Sequence, residues 1–171
     1  MKKFIAMVLT VVMALSLVAC GGEKVESHEL KMGRVLGAAH GTKCFATAVA
    51  VVEGDKVVAA FIDEYQFMSG DELISVPNAE NYVASLAEGV KLVSKRVDTA
   101  VYSKNMADKA GSTVAIDANY DAIQAHVAGK TIAELETLVA GGAEAVVDAV
   151  AGATVVDAAG YIKAIIDVAK A

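Results

Sequence analysis

The seven residues from Asp148 to Thr154, Asp-Ala-Val-Ala-Gly-Ala-Thr, combine residue types and a spacing that could support chemistry. They stand directly before an apolar stripe of helical spacing, which predicts a terminal helix from about residue 155 to residue 170. A helix N-terminus carries unpaired N–H groups and the positive end of the helix dipole. A phosphate on the Thr154 hydroxyl would therefore be stabilised there, and the small residues Gly152 and Ala153 would leave room for it.

The same residues also have a purely structural interpretation. Thr is favoured at the N-cap of a helix and Gly in turns, so Thr154 and Gly152 could serve only to begin the terminal helix. The sequence contains no nucleophile elbow and no phosphate-binding loop ending in Lys-Ser or Lys-Thr. The histidines, His28, His40 and His126, lack the spacing of a metal site, so no metal ligand is predicted.

The run from Asp148 to Thr154 resembles the flavin-attachment motif of the FMN-binding domain family, whose usual form is Asp, two residues, a small residue, Gly, Ala and Thr. In that family a dedicated flavin transferase joins FMN to the Thr hydroxyl through a phosphoester bond. The resemblance implies that Thr154 carries FMN, and that Ala153, Gly152 and Asp148 belong to the cofactor site. If the flavin is bound, it supplies the redox chemistry and no catalytic acid is required.

The motif departs from the family at positions on both sides of Thr154. Ala151 stands where the family frequently has Ser or Thr, and Val155-Val156-Asp157 replace the Thr-Ser that often follows the modified Thr. A carboxylate at position 157 would suit the first turn of a helix, but it would compete there with a phosphate.

A wider part of the chain is similar to the peptide-pheromone-encoding lipoproteins of Gram-positive bacteria. The similarity covers residues 33–68, 102–106 and 129–136. It implies a protein that relays electrons from a membrane NADH dehydrogenase and the quinone pool to extracellular acceptors, as a carrier more than as an enzyme with its own substrate. In that group the released signal peptide can also yield a short apolar pheromone, here drawn from about residues 12–19.

Several side chains are candidates for packing on a flavin ring, although each could equally belong to the core: Tyr65, Phe67, Met68 and Met106. The adjacent acids Asp63 and Glu64 should fall on opposite faces of a regular strand. They are therefore a poor acid/base pair, and a solvated face is expected to explain at least one of them.

The N-terminus has the pattern of a bacterial lipoprotein signal. Two lysines precede an apolar run from Phe4 to about Leu15, which is shorter than the ~20 residues of a spanning helix. The run then ends in Leu-Val-Ala-Cys, which looks like a lipobox and implies diacylglyceryl attachment at Cys20; an ordinary secretory signal is the alternative. We therefore expect a signal peptide over residues 1–19, a tether over 20–31, and one domain over 32–171 on the outer face of the cell membrane.

Composition supports a single exported domain. Of the 171 residues, 56% are apolar, which excludes a disordered chain, and the net charge of −6 with scattered basic residues argues against nucleic acid as a partner. With Cys20 acylated, Cys44 would be the remaining thiol, so no internal disulfide is expected. Cys44 lies in an alternating apolar stretch and is predicted to be a buried small hydrophobe.

The periodicity predicts an α+β fold with an antiparallel meander of at least three strands. Strands are expected over residues 31–40, 43–53 and 56–65, with Gly54-Asp55 as a hairpin turn. Both faces of the second strand are apolar, so helices should cover both sides of the sheet.

Helices are expected in four further places along the chain. The predicted spans are 78–104, a helix capped at 119–121 and ending at Gly129, a helix from a Thr131…Glu134 capping box to about Ala140, and the terminal helix.

Two functional hypotheses follow for this chain. The first is a membrane-tethered flavoprotein with FMN on Thr154 that relays electrons outside the cytoplasmic membrane. The second is an extracellular lipoprotein module without flavin that has a binding or signalling role, its signal peptide being a possible pheromone precursor.

Overall fold

The computed structural model describes residues 29–78 and 87–171, which form four strands and five helices. The elements are β1 (Leu30–Gly37), β2 (Cys44–Glu53), β3 (Lys56–Ser69), β4 (Val90–Ser94), α1 (Thr99–Ala110), α2 (Ile116–Val127), α3 (Ile132–Ala140), α4 (Gly142–Ala149) and α5 (Ala158–Ala169). The strands form one antiparallel sheet in the order β1-β2-β3-β4. The predicted α+β class and meander are confirmed.

The β2–β3 hairpin sets the register at the centre of the sheet. Glu53 pairs with Lys56 across the two-residue turn Gly54-Asp55, as predicted, and Gly54 has a φ of +60°, which such a turn requires. The returning strand is longer than expected, because β4 pairs with its far end and stabilises it up to Ser69.

One face of the sheet carries the core. Ala46, Ala48 and Ala50 alternate along β2 and are fully buried, and their small side chains let helix α5 lie close to the strands. The contact is tight where Gly33 of β1 faces Val168, since a Cβ on Gly33 would lie 3.0 Å from that side chain. Helix α2 packs into the same buried cluster, mainly through side chains such as Ile123.

The opposite face of the sheet is not covered by a described helix. The helices that contact the sheet pack in the buried cluster on the face that carries Ala46. On the other face Met32, Phe45 and Phe61 are exposed. The expectation that helices cover both faces is therefore wrong for the described residues. Alanines make one face of β2 apolar and Phe45, Val49 and Val51 the other, but α5 and α2 both pack on the alanine face.

The predicted helix over residues 78–104 is wrong over residues 87–98, whereas residues 99–104 do lie in a helix. Val90 and Val93 lie on strand β4, which pairs with β3, and helix α1 begins only at Thr99. The spacing of these valines fits a helical stripe, but pairing along the edge of β3 selects the strand. The other apolar positions of that prediction, Tyr82 and Leu86, lie outside the described residues.

Other predicted boundaries have mixed outcomes. Thr131 and Glu134 form the expected capping box, with Glu134 N donating to Thr131 Oγ1 at 3.2 Å and Thr131 N donating to Glu134 Oε2 at 2.8 Å. Helix α2 begins at Ile116, so Asn119 lies in its first turn and is not its cap.

The predicted signal peptide, Cys20 and most of the tether lie outside the described residues, which begin at residue 29. Within residues 29–78 and 87–171 no helix is long and apolar enough to cross a bilayer.

Candidate functional site

Thr154 lies in the loop between α4 and α5. Helix α5 begins at Ala158 with Asp157 as its N-cap, so the prediction that Thr154 stands at the start of the terminal helix is wrong. The loop has its own turns: Gly152 has a φ of +90°, Ala153 N donates to Val150 O, and Ala158 N donates to Val155 O. Val155 packs on the core, so its apolar side chain continues the stripe of the terminal helix although it precedes that helix. For this reason the sequence predicts a start about three residues too early.

Asn119 fixes the backbone on both sides of the Thr154 Cα. Its Oδ1 accepts from Thr154 N at 2.6 Å and from Val155 N at 3.0 Å. Its Nδ2 donates to Val114 O and Ala115 O at 3.2 and 2.9 Å, and its side chain is 2% exposed. The backbone N–H groups of Thr154 and Val155 are thus already bonded to an amide side chain. A phosphate on Thr154 would have to find other partners.

The Thr154 side chain opens onto a cavity of about 310 Å³. Helices α1, α2 and α5 and the loops at their ends form its wall, which is mostly apolar and includes Tyr102, Met106, Val114, Ile116, Val155 and Tyr161. Thr154 itself is exposed, and its hydroxyl makes no hydrogen bond to another described residue. It is therefore available for modification at the rim of the cavity.

A buried ion pair lies against the same cavity. Lys95 lines it and donates from Nζ to Glu64 Oε2, and the two side chains are 1% and 0% exposed. Tyr161 donates its hydroxyl to the same Glu64 oxygen at 2.9 Å. Burial lowers the pKa of Lys95, but the hydrogen bond and charge of Glu64 outweigh burial and raise that pKa above its ordinary value. Lys95 is therefore a cation at neutral pH.

Two tyrosines continue this polar cluster into the core. The hydroxyls of Tyr120 and Tyr161 are 3.3 Å apart, and their rings meet edge to face at 5.1 Å. Burial raises the pKa of both phenols well above the ordinary value. They are therefore neutral hydrogen-bonding groups at neutral pH.

His40 and Asp157 form a second polar pair at the cavity. His40 Nδ1 is hydrogen-bonded to Asp157 Oδ2, which links the loop between β1 and β2 to the N-cap of α5. Cys44 donates its thiol to the backbone oxygen of His40, and burial together with the charge of Glu64 raises the Cys44 pKa to about 11. Cys44 is thus a protonated thiol at neutral pH, but the prediction that it is buried is wrong, because it is only partly buried.

The structure separates the predicted motif residues. Thr154 lines the cavity, Ala153 is buried in the core, and Gly152 is exposed at a left-handed turn. Asp148 is exposed on helix α4 and does not line the cavity. Among the motif residues, Thr154 alone therefore touches the space in which a ligand could lie.

The predicted ring-packing residues divide in the same way. Met106 lines the cavity, but Tyr65, Phe67 and Met68 lie on β3 and do not. Tyr65 instead stacks on Phe45, with ring centroids 5.3 Å apart.

Asp63 and Glu64 point to opposite faces of β3 as expected, but the expectation of a solvated face is wrong, because both are buried. Asp63 accepts hydrogen bonds from the Ser94 hydroxyl at 2.6 Å and from the backbone N–H of Glu64 at 2.7 Å. Glu64 is neutralised by Lys95 on the other side.

Sequence reasoning missed three cavity residues, Lys95, Asn119 and Tyr161. Lys95 fell within a predicted amphipathic helix, where a lysine signals a solvated face. The sequence predicts Asn119 as a local cap. In the structure its side-chain oxygen accepts a hydrogen bond from the backbone N–H of Thr154, 35 residues away in sequence. No group of three or more metal-ligating side chains occurs among the described residues.

The chain matches no protein-family model, no curated protein and no solved structure.

Proposed function

We propose that this protein is a lipid-anchored, extracytoplasmic electron carrier with FMN joined covalently to Thr154. One observation carries the proposal: an exposed threonine hydroxyl without a hydrogen-bond partner in the described residues stands at the rim of a mostly apolar cavity. The flavin-attachment pattern of residues 148–154 ends on that same threonine. Thr154 thus combines a hydroxyl to which FMN could be attached with a neighbouring cavity that could hold the flavin ring.

The side chains that line the cavity are compatible with a bound FMN. The cavity of about 310 Å³ lies at the small end of the ~300–1,000 Å³ typical of ligand pockets, so it suits a ring system whose phosphate end stays outside at Thr154. Met106, Ile116 and Tyr102 offer apolar and aromatic contacts. FMN would supply the electron-accepting chemistry, and the protein would hold the ring and limit its contact with water.

The proposed location follows from the N-terminal pattern. The chain has a net charge of −6 and therefore no electrostatic attraction to anionic lipid, so its attachment would depend on a lipid anchor. Diacylglyceryl attachment at Cys20 would hold the domain at the outer face of the membrane. That position suits transfer from a membrane NADH dehydrogenase and the quinone pool to extracellular acceptors. A flavin transferase would be a required partner during maturation.

The test compares two threonines of the same cavity. The chain is exported in a host with a flavin transferase, and intact mass and peptide mapping measure the gain of one FMN less water. The wild type and Thr113→Val should be modified on the peptide that contains Thr154, because Thr113 is also exposed at the cavity but lies outside the motif. Thr154→Val should remain unmodified. An unmodified wild type beside a modified control flavoprotein, or a modified Thr154→Val, would overturn the proposal.

A second candidate is a flavin-free extracytoplasmic binding module, and the contacts of Asn119 favour it. Because this side chain already satisfies the N–H groups of Thr154 and Val155, the loop is complete without a phosphate. An unmodified mass would support this function. The pheromone role belongs to residues 12–19, outside the described residues, and a synthetic peptide that elicits no response from recipient cells would exclude it.

A further inference from the structure

Lys95 has donor capacity that the described residues leave unused. Its ammonium group has three N–H bonds. One is donated to Glu64 Oε2. Tyr102 accounts for a second contact, since Nζ lies 4.5 Å from the centroid of its ring and a hydrogen bond with its side chain is among the causes that raise the Lys95 pKa. The third has no acceptor among the described residues, and Lys95 lines the cavity. An acceptor atom of a ligand could therefore complete its hydrogen bonding.

Glu64 also has an incomplete set of partners. Oε2 accepts from Lys95 and from Tyr161, but Oε1 is buried and has no partner in the described part of the chain. A buried ion pair is a poor way to stabilise a fold, because apolar residues of similar volume often serve as well or better. A fully buried pair with unused hydrogen-bonding capacity next to a cavity points to recognition of a ligand.

The charge of the pair restricts the ligand. Glu64 offsets the charge of Lys95, so the deep end of the cavity is close to neutral and does not provide the net positive charge that would favour a phosphate or carboxylate there. It favours a neutral acceptor such as a carbonyl oxygen. The remaining wall, with the ring of Tyr102 and the side chains of Met106 and Ile116, suits a flat apolar ring.

We propose that Lys95, held by Glu64, is the residue that recognises the ligand in this cavity, by donating a hydrogen bond to a carbonyl oxygen on the edge of a planar heteroaromatic ring. This inference rests on the proposed function, since it assigns the carbonyl-bearing edge of the flavin ring to Lys95 and leaves the phosphate at Thr154. The buried position of Lys95 and the exposed position of Thr154 are consistent with that orientation.

The test separates ring recognition from covalent attachment. The full chain carrying Thr154→Val is produced in a host without a flavin transferase and purified in detergent. Lumiflavin, which has the carbonyl-bearing ring but no phosphate, is titrated and its fluorescence quenching is measured. Phenazine, a flat tricyclic ring without a carbonyl group, is the matched probe.

The diagnostic variant replaces the whole pair, Lys95→Met with Glu64→Gln, so that no unpaired charge is left in the core and Tyr161 keeps an acceptor. Lumiflavin should bind roughly 10- to 100-fold more weakly to this variant, as expected for a lost hydrogen bond from a charged donor, and phenazine should be unaffected. Replacement of the exposed pair Lys163 and Asp167 by Met and Asn is the control and should change neither affinity.

Equal lumiflavin affinity of the Thr154→Val parent with and without the Lys95→Met and Glu64→Gln changes would overturn the inference. Equal loss of affinity for both probes would also overturn it, as would failure of the Thr154→Val chain to bind lumiflavin at all. FMN found on Thr154 together with any of these results would leave the proposed function intact and reject the role of Lys95. If lumiflavin binding depends on Lys95 but the wild-type protein is never flavinylated, the role of Lys95 stands and the proposed function is rejected. A circular dichroism spectrum and unfolding curve of each variant establish that it is folded.

Discussion

Replacement of Asn119 by Ala should destabilise the loop that presents Thr154. The change removes four hydrogen bonds at once: two accepted from Thr154 N and Val155 N, and two donated to the carbonyls of Val114 and Ala115. The two accepted bonds join the first turn of α2 to the chain between α4 and α5, and the two donated bonds hold the Asn119 side chain against the start of α2. No other side-chain hydrogen bond to the backbone of Thr154 or Val155 occurs within the described residues.

The expected cost can be worked from these contacts. A hydrogen bond within a protein contributes about 0.5–1.5 kcal/mol net, so four of them amount to roughly 2–6 kcal/mol. The lower half of that range applies, because exposed Thr154 can hydrogen-bond to water and Ala115 O keeps its helical bond from Asn119 N. Ala is also the better helix former by about 0.6 kcal/mol. We expect the free energy of unfolding to fall by about 2 kcal/mol.

The assay is urea unfolding followed by circular dichroism, together with amide hydrogen exchange of residues 150–157. Asn105→Ala is the matched control, since Asn105 is a partly buried helical asparagine whose side chain makes no hydrogen bond to another described residue. Its effect should stay within about 0.5 kcal/mol. Faster exchange of the Thr154 and Val155 amides should accompany the destabilisation. A loss below about 0.5 kcal/mol for Asn119→Ala, with unchanged exchange at these two amides, would refute the assignment of Asn119 as the residue that fixes the loop.

Three further predictions follow from other contacts. Because the Cys44 pKa is raised from 9.0 to about 11, iodoacetamide at pH 8 should alkylate the tryptic peptide 44–56 roughly 100-fold more slowly in the folded protein than in urea, and equal rates would contradict a protonated thiol. Gly160→Ala should destabilise by about 1–3 kcal/mol in urea unfolding despite its better helix propensity, because the new Cβ would lie 2.5 Å from Ala39 O, and a more stable variant would show that this contact is wrong. Because the pKa values of Cys44, Tyr120 and Tyr161 are raised in the folded state, the unfolded chain releases these protons first as pH rises past about 9–10. The urea concentration at the unfolding midpoint should therefore be lower at pH 10.5 than at pH 7.5. An unchanged midpoint would contradict the burial of these three groups.

Local signals predicted the parts of the fold that depend on neighbours in sequence. The Gly54-Asp55 turn fixes its hairpin because two residues of that type close only a tight turn, and the Thr131 capping box needs only Glu134 three residues later. Strand β4 is mistaken for a helix because Val90 and Val93 are three residues apart, a spacing that places them on one face of a helix but on opposite faces of a strand. Only the free edge of β3, which is distant in sequence, decides between the two.

The candidate site was predictable only at Thr154, where a sequence pattern exists. Its surroundings are assembled from distant elements: Asn119 comes from α2, Lys95 from the segment after β4, and Tyr161 from α5. Each of these residue types has a common local role, as a cap, a solvated cation or a core ring. Their shared cavity arises from the packing of α1, α2 and α5, which no spacing in the sequence records.

The departure of the motif at Asp157 has a structural consequence that bears on the proposed flavin. In the sequence this carboxylate was expected to compete with a phosphate for the first turn of the terminal helix. In the folded chain Asp157 is the N-cap of α5, three residues beyond Thr154, and its Oδ2 is hydrogen-bonded to His40. The carboxylate therefore already has a partner, and removing that partner should expose its charge to any phosphate on Thr154. His40→Ala should accordingly lower the extent of flavinylation more than Asn105→Ala does under the same transferase conditions, whereas equal modification of the two variants would show that Asp157 does not oppose the phosphate.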